Sequence, residues 1–142
     1  EPFSEKLGAL GVEMIEIIFP AAQDAILADL AHPVPLCADE SAHARKGLPS
    51  LIGKYDVINI KLDKTGGLTE ALLLRAEAEA AGMEIMIGCM LATSLGLAPA
   101  FLVAQEAKFV DLDGPLLLAV DREPGFEFEG SLMHPPKPEL WG

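Results

Sequence analysis

The sequence predicts an α/β fold in which about five parallel strands alternate with helices, as units of a (β/α)8 barrel. Three observations carry this. Short apolar runs rich in Val and Ile recur along the chain, a stretch with helical character follows each of the first four, and every run closes on a chemically useful side chain.

The elements follow in order. Glu5 to Leu10 has the pattern of a helix tail leading straight into the first strand, Val12 to Phe19. Asp24 to Leu30 is the first helical stretch, Val34 to Ala38 the second strand and Ser41 to Ile52 the second helix. After the third strand, Val57 to Leu62, comes the clearest helix, Leu68 to Ala81. Thr69 to Ala81 is built of strong helix formers, and Gly82 suits a left-handed cap at its end. Glu84 to Met90 and Phe109 to Leu112 are the last two strands, with Ser94 to Glu106 helical between them. Residues 1–121 make up the barrel portion; 122–142, rich in Pro, form an extended tail on its exterior.

Alternating strands and helices of this length imply parallel βαβ units, and a doubly wound sheet would satisfy that pattern equally. The strand ends favour the barrel. Glu16, Asp39, Lys61, Cys89 and then Asp111 and Asp113 close successive runs, with spacings of 23, 22 and 22 for Glu16–Asp39, Asp39–Lys61 and Cys89–Asp111. A barrel gathers such positions at one mouth, whereas a plain core would not put a charge at the same point of each repeat, because an unpaired buried charge is costly. Alternation along a strand puts Asn59, Lys61 and Asp63 on one face and Ile58, Ile60 and Leu62 on the other; Asp111 and Asp113 likewise share a face. Five strands do not close an eight-stranded barrel of roughly 250 residues, so about three units are expected from elsewhere.

Composition narrows the function. The 142 residues carry a net charge of −12 and are 51% hydrophobic. An acidic surface repels phosphate backbones, and Lys and Arg form no compensating patch, which argues against nucleic acid as a partner. No segment approaches the ~20 uninterrupted apolar residues of a membrane span, and no leader pattern is visible, so a cytoplasmic protein is expected. Cys37 and Cys89 lie in apolar runs and are expected to be buried thiols. His32, His43 and His134 lack zinc-ligand spacing, and neither Ser41 nor Ser94 sits in a nucleophile elbow.

The remaining groups allow specific chemistry. Glu16 and Asp39 on neighbouring strands could hold a hard cation, or simply pair with Lys61 at the rim. Lys61 could be a base whose pKa is lowered by desolvation and a nearby cation, or the partner of Asp39 or Glu40 in an ion pair. Lys64 and Gly66-Gly67 follow, without P-loop or GxGxxG spacing. Asp111 and Asp113 could receive an ammonium group, or Asp113-Gly114 could be ordinary turn chemistry.

Taken together, Met14-Ile15-Glu16, Ala38-Asp39-Glu40-Ser41, Lys61-Leu62-Asp63-Lys64-Thr65-Gly66-Gly67, Gly88-Cys89-Met90 and Asp111-Leu112-Asp113-Gly114-Pro115 resemble the muconate-lactonizing branch of the enolase superfamily, and within it the dipeptide epimerases. The resemblance runs from Gly11 to about Asp121, and the Asp-x-Asp-Gly-Pro ending points to dipeptides. It implies strands four to eight of the barrel, a capping domain, Mg²⁺, and removal and return of the proton alpha to a carboxylate through an enediolate. By the same resemblance Glu16 and Asp39 are metal ligands, Lys61 is the acid/base lysine, and Asp111 and Asp113 hold the dipeptide ammonium beside Cys89 and Met90. The family's first metal ligand, its opposing lysines and its cap have no counterpart here, and Ile17-Ile18 stands where Gln-Pro is usual. The expectation is therefore an isomerase whose N-terminal barrel half and cap come from outside these residues, this chain alone being inactive. The alternatives are a non-catalytic half-barrel that self-associates through open strand edges, or a cycloisomerase of the same superfamily.

Overall fold

The computed structural model of the chain describes residues 3–17, 19–20 and 23–141. Helix α1, Phe3–Ala9, leads into β1, Ile15–Ile17. There follow β2, Leu36–Ala38; β3, Val57–Ile60; the one-turn helix α2, Leu62–Thr65; α3, Leu68–Ala80; β4, Glu84–Ile87; α4, Ser94–Val103; and β5, Phe109–Val110. The five strands form one parallel sheet in chain order, β1-β2-β3-β4-β5, curled as the C-terminal (β/α) part of a TIM-type barrel. Among the described residues no helix is long and apolar enough to cross a membrane.

Strand alternation sorts the sheet's side chains into two sets. Leu36, Ala38, Ile58, Ile60, Ile85 and Ile87 pack outward in one cluster with Ala71, Leu74 and Ala78 of α3. Those three helix positions fall on one narrow stripe, which is why Leu72 and Leu73 remain partly exposed. Cys37, Val57 and Met86 fill the concave side with Met14 and Phe109. Polar groups sit at the C-terminal strand ends on that same side.

Several expectations need correction. The first two helical stretches are short 3₁₀ turns, Ala25–Asp29 and Arg45–Ser50. In the second, Gly47 and Pro49 explain the difference: one has poor helix propensity, the other no N–H to donate. Strand β3 ends at Ile60, and α2 begins one residue after Lys61, so Asp63 is exposed on a helix and does not share the Asn59–Lys61 face. Ile18, half of the departure from Gln-Pro, lies outside the described residues.

The C-terminal segment has more structure than an extended tail. A 3₁₀ turn, Gly114–Leu117, precedes an antiparallel hairpin of β6, Phe128–Glu129, and β7, Leu132–Met133, and the chain ends in the short helix α5, Pro138–Trp141. Phe126 packs against Phe101 of α4, ring centroids 5.9 Å apart, and Leu140 is buried. Asp121 ties this segment to the barrel. The N-cap Thr93 of α4 makes no side-chain cap, and Asp121 supplies it from 27 residues away: Oδ1 accepts from Ser94 N at 3.0 Å and Arg122 N at 2.8 Å, while Oδ2 accepts from Ser94 Oγ. Ser94 Oγ in turn accepts from Phe126 N at 2.9 Å. Ser94 is thus a fully buried structural hydroxyl. Replacing Asp121 with alanine strands these donors at a helix start and is expected to cost about 1–3 kcal/mol. Urea unfolding checks this, with faster amide exchange in the first turn of α4 and unchanged protection in β3 as the local signature.

Candidate active site

Lys61 follows β3 directly and keeps an extended backbone (φ −114°, ψ 123°), so its side chain stays on the concave face of the strand. Helix α2 then makes a single turn and stops at Gly66 and Gly67, both with positive φ (86° and 126°), a conformation that L side chains rarely adopt. One helical turn separates Lys64 from Lys61, and both ammonium groups meet Asp39 at the end of β2. Lys61 Nζ donates to Oδ2 at 3.0 Å; Lys64 Nζ donates to Oδ1 at 2.8 Å and to the Asp39 carbonyl at 3.0 Å. Asp39 is 7% exposed, and although burial alone would raise its pKa, the two lysines hold the carboxyl below the usual aspartate range. The Lys-x-x-Lys-x-Gly-Gly motif is therefore a clamp on one carboxylate.

Lys61 shifts opposite to the lowered pKa expected of a base beside a cation. Burial works downward, but the charges of Asp39, Glu16 and Glu40 outweigh it and push its pKa up. Lys61 touches Asp39 directly, while Glu16 reaches the same side of the sheet through Asn59. Glu16, exposed in the middle of β1, does not pair with Lys61 among the described residues; its Oε1 accepts from Asn59 Nδ2 at 2.7 Å, across β2. Asn59 is 1% exposed, and among the described residues its Oδ1 has no hydrogen-bond partner, an arrangement that costs about 1–3 kcal/mol. This residue was not among the site candidates. Its signal was a lone amide inside Val57-Ile58-Asn59-Ile60, on the face of Lys61.

At the other side of the mouth, Asp111 and Asp113 are both exposed, with Leu112 buried between them. Desolvation, then the neighbouring Asp113 and Glu16 charges, push the Asp111 carboxyl up, and Lys61 only partly offsets this. Among the described residues neither carboxylate has a salt-bridge partner, and a pair of this kind attracts a cationic group. Cys89 sits beside them. Burial and the Asp111 and Asp113 charges raise its thiol pKa despite a hydrogen bond from the Gly114 backbone, which disfavours the reactive thiolate. Met90 is half-exposed, and its carbonyl lies against Gly114, where a Cβ would come within 2.9 Å of that oxygen.

Glu16 and Asp39 are hard oxygen donors on adjacent strands, facing the same side as the unpartnered Asn59 oxygen. Among the described residues no three His, Cys, Asp or Glu side chains come together as a metal cage. Mg²⁺ commonly binds through one or two carboxylates, completing its octahedron with water and substrate oxygens, so this donor set fits it as one side of a site.

A parallel half-barrel with its charged groups at the C-terminal strand ends defines a class of barrel proteins whose chemistry sits at that mouth. Residues 2–138 match the enolase C-terminal domain-like family, and the chain belongs to it. It is similar to the N-acetyl-D-glutamate racemase of a Pseudoalteromonas species, with 51% identity over 138 residues, covering 97% of this chain and 44% of that protein. It is 52% identical over 128 residues to the L-Ala-D/L-Glu epimerase of Escherichia coli strain K12, covering 90% of this chain and 40% of the relative. A crystal structure of an enolase family member from Agrobacterium tumefaciens with homology to dipeptide epimerases superposes with a TM-score of 0.95 at 59% identity, over 99% of this chain and 43% of that one. That crystal contains sodium, L-Ala-L-Glu and an ordered loop. The chain spans less than half the length of each of these proteins.

Proposed function

We propose that this chain is the C-terminal barrel half of a dipeptide epimerase that removes and returns the proton alpha to the carboxylate of an L-Ala-L-Glu-type substrate. The observation that carries the reading is the unneutralised Asp111–Asp113 pair facing the same mouth as the clamped Lys61. In this reading the two aspartates receive the dipeptide ammonium through charge-assisted hydrogen bonds and fix the distance to the reacting carbon. Lys61 Nζ takes and gives the proton on one face, held in place by Asp39, which Lys64 keeps fixed from the other side. Glu16 and Asp39 would hold Mg²⁺, which when bound supplies positive charge against the negative charge that builds on the substrate carboxylate. Cys89 and Met90 would shape the wall beside the aspartates. The second proton-transfer group and a further ligand would come from upstream strands, pairing with the free edges of β1 and β5. The 142-residue chain by itself is then expected to show no turnover.

One observation favours a second reading. The racemase relative is as similar as the epimerase, and an N-acetylated glutamate has no ammonium group for Asp111 and Asp113. Loss of the Cα proton signal in D₂O, followed by NMR on a protein of the relatives' length carrying this chain, separates the two. L-Ala-L-Glu is expected to exchange and invert at glutamate, with N-acetylglutamate much slower; the reverse order would transfer the assignment to the acylated substrate. Asp113→Asn is expected to reduce kcat/KM for the dipeptide about 10- to 100-fold, the worth of a charged hydrogen bond, and to leave any N-acyl activity unchanged.

A further inference from the structure

We infer that Asn59 is a positioning residue for Glu16, and that Gly88 supplies the space that lets it act. The inference rests on the reading of Glu16 as a cation ligand. Asn59 is the one polar member of strand β3 and is almost wholly buried on its concave face. A carboxylate only accepts hydrogen bonds, so the 2.7 Å contact with Glu16 Oε1 fixes the amide orientation: Nδ2 toward Glu16, Oδ1 away. That leaves Oδ1 buried without a partner among the described residues. Valine or isoleucine would fill a strand position of this kind without stranding an acceptor, so stability does not account for the asparagine. Its effect falls on Glu16, an exposed carboxylate on a strand paired along one side only, which would otherwise sample several rotamers. Asn59 holds one of its oxygens and leaves the other to a cation.

Gly88 completes the arrangement from the opposite side. Its N–H continues the ladder to Ile60 O at 3.2 Å, and it is not among the glycines with positive φ, so its missing side chain matters for room and not for backbone conformation. A Cβ at position 88 would stand 2.5 Å from Asn59 Oδ1, 2.8 Å from Nδ2 and 3.0 Å from Cγ. Alanine there has to push the amide off its line to Glu16. A residue of β3 and the one that follows β4 thus act on one carboxylate, one by contact and one by vacancy.

The test uses Mn²⁺ as probe on a protein of the relatives' length carrying this chain, with affinity read by calorimetry and by the electron paramagnetic resonance of free ion, and folding by cooperative melting. Asn59→Ala and Gly88→Ala are each expected to weaken Mn²⁺ binding about tenfold, at the lower end of what loss of a ligand-orienting partner produces. In the Asn59→Ala background, Gly88→Ala is expected to do nothing further, because the group it displaces is gone. A purely structural role would not produce that silence. If Asn59→Ala fails to fold, Asn59→Leu, similar in size and unable to donate, is expected to show the same loss. Unchanged affinity in the Asn59 variant, or a Gly88→Ala effect that adds in full to it, overturns the inference and leaves the functional reading intact. A parent protein that binds no Mn²⁺ overturns both.

Discussion

In a protein of the relatives' length carrying this chain, Lys61→Ala is expected to abolish Cα-proton exchange from one epimer of the proposed dipeptide substrate, a loss of at least about 10³-fold, within the usual contribution of a positioned acid/base. The other epimer presents its proton to the opposite face, so a proton can still leave there, and the variant becomes a one-sided exchanger that no longer completes inversion. Stability is expected to change little: Asp39 keeps Lys64 at 2.8 Å and so does not become an unpaired buried charge. Lys61→Arg sharpens the experiment. Guanidinium can retain an ion pair with Asp39 but cannot give up its proton at any working pH, so fold and ion pair persist while turnover is lost. The measurement is separate D₂O exchange from L-Ala-L-Glu and L-Ala-D-Glu. Equal, undiminished exchange from both epimers in Lys61→Ala would remove Lys61 from proton transfer and reduce it to the structural partner of Asp39 that its ion pair alone would suggest.

What was legible in the sequence follows from what has a local physical cause. The order of strands was legible because fully buried parallel strands are continuous apolar runs, and α3 because helix formers followed by glycine act within one segment. The polar strand ends were legible because they recur at nearly constant spacing. Three features were not. The stretch from Ser41 to Ile52 had helical composition, but Gly47 and Pro49 restrict it to a 3₁₀ turn, a veto by two residues that a windowed pattern averages away. Lys64 stands in the Lys-x-x-Lys-x-Gly-Gly motif with no partner named by the sequence, because a one-turn helix is what brings it round to Asp39 beside Lys61. Asp24 and Asp121 looked like a helix start and a segment boundary; their partners lie 17 to 31 residues away, and nothing in the intervening sequence announces a tertiary pairing. The family resemblance pointed to Asp39 and Lys61 as chemistry, and the geometry adds why the residues around them are what they are.

Ser41, the last residue of the Ala-Asp-Glu-Ser motif, shows this best and leads to the largest expected loss of stability. Asp24 is 3% exposed and its two oxygens take three donors: Lys54 Nζ at 2.7 Å on Oδ1, then Ser41 Oγ at 3.0 Å and Tyr55 Oη at 3.1 Å on Oδ2. Burial alone would raise the Asp24 pKa, but the three donors outweigh it and hold the carboxyl below its ordinary value, while burial and Asp24 push the Tyr55 hydroxyl up to about 12. Asp24→Ala leaves a largely buried ammonium and two hydroxyls without their acceptor and is expected to cost about 3–5 kcal/mol at pH 7. The sign of the pH dependence follows. A folded pKa below the unfolded one stabilises the protein fully above the unfolded value near 4, and that stabilisation is lost as pH falls through the folded value. The parent should therefore lose this contribution on acidification below pH 4, and urea-derived stabilities of parent and Asp24→Ala should converge there. Because Ser41 stands two residues after Asp39, and Ala42 N closes a turn onto the Asp39 carbonyl at 2.9 Å, the same substitution loosens the loop that presents Asp39 to Lys61. In a protein of the relatives' length carrying this chain, activity should then fall before global unfolding as urea rises, in the variant alone. A variant within about 1 kcal/mol of the parent at pH 7, or a gap that does not narrow in acid, would show that the three donors find equal partners in water, and that Ser41 is held by something other than Asp24.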